Sequence, residues 1–258
     1  MRKTALTFTV TTLVLGIFGA FFRWLQNANA FDAETGCAIP GHGTSIVFLI
    51  YCILAVAAIF VLTLGWFRRF DFENSVAALR DFTPIPMILC WILGIVFAVA
   101  SCVVLFGSDL SRFPAAQRLL GAGGILAGLC FPFLPTKKDG TAQSFGSVAA
   151  GAAVIFFCYW LLFCYRSHAD DPVLWRFATE IFAVASAAAA FYYIAAFHYR
   201  AGHGLRALLA VQLAAFFNIV CLFDRRSFAF GLMFLITAVL ILLMEYLILQ
   251  NMWEKRGD

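Results

Sequence analysis

The chain has 258 residues, of which 63% are hydrophobic and 12% charged, and its mean hydropathy is +0.91. That composition excludes a soluble domain of this size, which would leave more apolar surface in water than a monomer tolerates. The net charge of +4 comes from scattered residues, with no basic run dense enough for a nucleic-acid partner.

The bilayer is therefore the solvent for most of the chain. A hydrocarbon core about 30 Å thick needs about 20 helical residues at about 1.5 Å each. Apolar runs of that length fall at 4–22, 46–66, 86–107, 117–135, 146–165, 174–197, 206–223 and 228–249. They predict an all-α, polytopic bundle of about eight transmembrane helices, forming one transmembrane domain over 1–258. Trp24, Trp66, Trp175 and Trp253 stand at or just past predicted ends, where the indole ring prefers the headgroup level. Trp91 and Trp160 lie deeper and read as packing residues.

In the first run Thr9, Thr12, Gly16, Gly19 and Arg23 are spaced by three or four and share one helix face. Small residues let backbones approach in lipid, so this stripe predicts a buried interface. Arg2 and Lys3, an apolar stretch and then Ala28-Asn29-Ala30 also have the layout of a cleavable signal peptide, whose removal would leave seven spans. Against cleavage stand an apolar run longer than the usual ~7–15 residues and the stretch Arg23 to Asn27 before the alanines.

The connection 23–45 is the longest and chemically most varied. Asp32, Glu34 and His42, together with His168 and Asp170 of connection 166–173, bring carboxylates and imidazoles that suit a divalent cation or a basic solute. Their spacing matches no metal loop, so no metal or cofactor is assigned. Asp32 and Glu34 before Thr35-Gly36 suit a turn, and Asp171 before Pro172 suits a helix N-cap. The stretch Arg23-Trp24-Leu25-Gln26, then Phe31-Asp32-Ala33-Glu34-Thr35-Gly36 and Pro40-Gly41, resembles a loop of uncharacterised bacterial multi-pass membrane proteins, in which an aromatic-Asp-x-Glu-Thr-Gly segment follows the first helix. The resemblance covers about twenty residues. It implies a defined element capping the helix ends and a bacterial inner membrane, and carries no activity.

The fourth run holds Gly124 and Gly128 as a G-x-x-x-G, beside Gly121 and Gly123, with Pro132 and Pro135 near its end. Two expectations follow: a close helix contact, or a helix break exposing backbone dipoles to an ion or substrate. Gly146, Ala150 and Gly151 open the fifth run, and alanines fill 183–190 of the sixth. Glu180 lies in the sixth run, four residues after Arg176, its expected partner. Intramembrane carboxylates are rare because burying them is costly, which makes Glu180 a candidate for proton or cation handling. The seventh run is short and carries Gln212 and Asn218, expected to make interhelical hydrogen bonds; without this span the count is seven. Glu245, in the eighth, is expected to reach the interface or Arg200 and Arg206. The paired His198 and His203 are a weaker cluster. Of eight cysteines only Cys37 sits in a long loop, and there is no C-x-x-C.

With the N-terminus inside, eleven lysines and arginines fall on the cytoplasmic side and seven outside, which places both termini in the cytoplasm. No repeat relates the two halves, and no G-x-S-x-G, H-E-x-x-H or Walker loop is present. The favoured reading is a small-solute or ion permease, which explains the even helix count and assigns the pathway to Glu180, Arg176, Gly124, Gly128, Gln212 and Asn218; the alternative is a subunit or scaffold. A non-catalytic subunit or scaffold with a membrane-protein partner explains the absence of motifs and the packing stripes. A permease predicts a polar cavity reaching mid-membrane at Glu180, a scaffold a dry centre with a lateral apolar groove, and an enzyme several polar groups converging at one interface.

Overall fold

The computed structural model describes residues 2–32, 37–71, 78–79, 84–107, 113–135, 143–168, 177–224 and 226–254. Eight helices fill them: α1 (Arg2–Asn29), α2 (Gly43–Arg69), α3 (Ile85–Phe106), α4 (Pro114–Cys130), α5 (Gln143–His168), α6 (Ala178–His198), α7 (Gly204–Val220) and α8 (Phe228–Gln250). A 3₁₀ turn extends α4 through Phe133 and another extends α7 through Phe223. With those turns all eight are long and apolar enough to cross a membrane, as a multi-pass bundle requires, and the 206–223 run is among them.

The helices form two layers. Helices α3 to α8 follow one another around a closed ring, α3 meeting α8, while α1 and α2 form a hairpin laid against α7, with α1 also touching α8. Burial follows that arrangement: within an apolar stretch of 18 residues, 28% of α1 and 22% of α2 is buried, against 67% of α7 and of α8, which touch both ring neighbours and hairpin. An even helix number brings both termini to one end of the bundle, and residues near them are tied together. A two-residue strand β1 (Phe70–Asp71) pairs antiparallel with β2 (Trp253–Glu254), and Asn251 Nδ2 donates to the Ala78 carbonyl at 3.0 Å.

The ring has no polar lumen among the described residues. Phe97, Phe131, Phe157, Trp160, Phe191 and Phe234 fill its centre, each fully buried. Phe131 stacks on Phe191 at 5.9 Å, Phe191 on Phe157 at 5.1 Å and Phe157 on Trp160 at 5.8 Å. Trp91 differs from its expectation. It is 40% exposed on the lipid-facing side of α3, its ring edge-on to Phe133.

Glycine sets the closest approaches. A Cβ on Gly94 would stand 2.4 Å from the Gly128 carbonyl oxygen, and one on Gly121 2.6 Å from the Leu105 backbone nitrogen. The fourth run is thus an unbroken helix through Gly121–Gly124, and its glycines seat α4 against α3 instead of opening a dipole site. Gly16 and Gly19 do the same for α1, facing Ile219, Phe216 and Val220 of α7. Helix α6 closes with Arg200 at φ 60, and Ala201 N–H reaches back to the Ala196 carbonyl at 3.0 Å, a left-handed helix end.

Candidate functional site

Helix α1 runs seven residues beyond Phe22, the end expected from hydropathy, because Arg23 is neutralised inside the fold. Its Nε donates to Asp224 Oδ1 at 2.6 Å, its Nη1 to Gln26 Oε1 at 2.7 Å, and the guanidinium lies 5.6 Å from the centre of the Phe48 ring. Asn27 Nδ2 donates to the Phe223 carbonyl at 2.9 Å. These bonds fasten the hairpin to the ring at the end remote from the termini.

Asp224 is the hub of a buried ionic cluster at that end. Its Oδ2 accepts from Thr179 Oγ1 at 2.6 Å and Cys221 Sγ at 3.3 Å, and lies 3.6 Å from Arg226 Nη2. Arg226 Nη1 in turn donates to Glu180 Oε2, which also meets His168 Nε2 at 3.3 Å. Burial works against the charge on Arg226, but the Glu180 and Asp224 carboxylates more than offset it and hold the guanidinium above its ordinary range. Among the described residues two arginines face two carboxylates, so the buried charges of the cluster are paired.

The expected pairing of Glu180 with Arg176 cannot be placed, since Arg176, Glu34 and Asp170 lie outside the described residues. Glu180 faces Arg226 and His168 and is not among the residues that line the groove described below. Asp32 belongs to a small local turn, its N–H donating to the Cys37 carbonyl at 3.0 Å. His42 Nδ1 bonds Thr44 Oγ1 at 2.7 Å at the start of α2. Among the described residues no three His, Cys, Asp or Glu side chains come together to hold a metal. His198 is buried against Gly146 while His203 is exposed.

A second polar cluster lies deep between hairpin and ring. Glu245 is fully buried and, contrary to expectation, meets neither Arg200 nor Arg206. Its Oε1 accepts from Thr12 Oγ1 of α1 at 2.8 Å and from Gln212 Nε2 of α7 at 3.1 Å, and Thr63 Oγ1 of α2 touches Gln212 Oε1 at 2.5 Å. Asn218 Nδ2 donates to the Ala183 carbonyl of α6 at 3.1 Å, an interhelical bond of the expected kind. Gly124 and Gly128 are packing positions against Ser101 and against Gly94 and Ala98.

Between the hairpin and the ring a groove of about 530 Å³ opens sideways toward lipid. Phe48, Ile53, Val56 and Phe60 of α2 line one side, Phe182 of α6 and Phe217 of α7 the other, with Arg23 and Thr179 at the end remote from the termini. From Phe48 to Phe60 it follows α2 for about 18 Å, close to the ~15 Å half-thickness of a hydrocarbon core.

Sequence reasoning found Arg23, through its place in the Gly16 and Gly19 stripe, but missed its partner. Asp224 reads as an ordinary turn residue beside Arg225 and Arg226, and nothing local signals that it takes Arg23 from 201 positions away. Compared with protein-family models, curated proteins and solved structures, the chain finds no match.

Proposed function

We propose that this chain is a non-catalytic membrane subunit that takes one hydrocarbon chain of an amphiphile from the bilayer into the groove between α2 and α6, in the outer leaflet of a bacterial inner membrane. The lateral groove carries the reading. Its volume falls in the range of small-molecule sites, about 300–1,000 Å³. It runs beside α2 for about 18 Å, a length that suits a single extended hydrocarbon chain. Its walls are apolar along their length, and Arg23 and Thr179 at its end turn their polar atoms to Asp224 instead of into the groove. The aromatic filling of the ring favours this reading over a permease, which needs a polar path reaching mid-membrane. One observation favours the permease, the buried carboxyl of Glu245, which no described cation meets.

The test is photo-crosslinking in nanodiscs with a phospholipid carrying a diazirine on one acyl chain. Adducts are expected to concentrate on peptides containing 48–60 and 178–182, above those on the lipid-facing side of α3 at Ile88, Ile92 and Ile95. Labelling spread evenly over all lipid-facing helices would overturn the proposal.

A further inference from the structure

We infer that Glu245 is a proton-binding site built into the seam between the α1–α2 hairpin and the ring, and that the bound proton latches the two together. The site stands whatever fills the groove. Glu245, Gln212, Thr12 and Thr63, contributed by α8, α7, α1 and α2 respectively, form one hydrogen-bonded group. Thr63 has one hydroxyl proton but two acceptors in reach, the Ile59 carbonyl at 2.7 Å and Gln212 Oε1 at 2.5 Å. If that proton serves the Ile59 carbonyl, Gln212 must donate to Thr63, so its amide nitrogen turns to α2 and its oxygen to Glu245. The 3.1 Å contact between Gln212 and Glu245 then joins two oxygens and requires a proton on the carboxyl. In that amide orientation protonation completes the chain from Thr63 through Gln212 to Glu245. In the opposite orientation an ionised carboxylate accepts from Thr12 and Gln212 on Oε1, but its Oε2, which is buried without a partner, then carries charge into an apolar seam.

No neighbouring element supplies a counter-charge among the described side chains. Helix α1 presents Thr12, α2 presents Thr63 beyond Gln212, and α7 presents Gln212, while its Arg206 is exposed. The titratable side chains of α3 are Cys90 and Cys102, and on α8 itself Tyr246 is adjacent; none of the three acts on the carboxyl. Glu180, His168 and Arg226 engage one another at the far end of the bundle. Thr12 and Gln212 supply hydrogen bonds, and among the described side chains only a proton would neutralise the charge. When it leaves, the carboxylate needs water, and water reaches it only if the hairpin lifts from α7 and α8.

Infrared difference spectroscopy in nanodiscs, between acidic and alkaline buffer, tests the site. The wild type is expected to give the C=O stretch of a protonated carboxylic acid in neutral buffer, lost in Glu245→Gln and retained in Glu180→Gln. Thr12→Val, which keeps the carboxyl and removes one donor, is expected to shift the band and guards against a Glu245 variant that fails to fold. A spectrum without the band, or one that neither Glu245→Gln nor Thr12→Val alters, would overturn the proposal. The latch is read by spin labels on α2 and α6. Their separation should broaden in alkaline buffer for the wild type and stay fixed in Glu245→Gln, and a pH-independent wild type would overturn that part.

Discussion

Asp224 holds Arg23, Arg226, Thr179 and Cys221 at once, so removing its charge takes a carboxylate away from two buried arginines. Breaking a buried ion pair from one side costs about 3–5 kcal/mol, because the remaining charge is left uncompensated. Asp224→Asn is expected to lose about that much, read as a fall in unfolding midpoint in a fixed detergent. Combining it with Arg23→Gln should cost less than the sum of the two single changes, since each removes what the other needed. A purely additive double mutant would show that the pair is not a unit. This is also where sequence reading stopped. The rarity of intramembrane charge singled out Glu180 and Glu245, yet their surroundings depend on which remote helices arrive beside them. Glu180 meets Arg226 instead of open water, and Glu245 meets Thr12 and Gln212 instead of an arginine.

Among the helices, glycine decides how near two backbones come. A methyl group at Gly94 would collide with the Gly128 carbonyl, whereas one at Gly151 of α5 meets nothing within 4 Å. Gly94→Ala is therefore expected to lose about 1–3 kcal/mol by overpacking, and Gly151→Ala to keep or gain up to about 1 kcal/mol from helix propensity. Equal effects on the unfolding midpoint would contradict the α3–α4 contact. The spacing of Gly124 and Gly128 made a packing face legible from the sequence, as did the stripe on α1. The partner helix was not legible, since a small-residue face fits any similar face. Element ends were misjudged for a related reason: hydropathy stops at Arg23, but the helix continues because that charge is paired inside the fold.

At the scale of the whole molecule, eight spans were readable because bilayer thickness fixes a length that each apolar run must meet. The closed ring from α3 to α8 and the hairpin on its flank were not, since periodicity gives a helix a buried side without naming its neighbour. Orientation rests on the lysine and arginine distribution. It predicts that Cys37, which is exposed between α1 and α2, reacts with a membrane-impermeant maleimide added outside intact cells. Labelling only after the membrane is opened would invert the topology. The groove between hairpin and ring is proposed to hold a hydrocarbon chain, and native mass spectrometry of protein released from nanodiscs reads that occupancy. Wild type is expected to retain one amphiphile after bulk lipid is stripped, and Ala57→Trp, which fills the groove from α2, to retain none. Equal retention by both proteins, or none by either, would contradict the account.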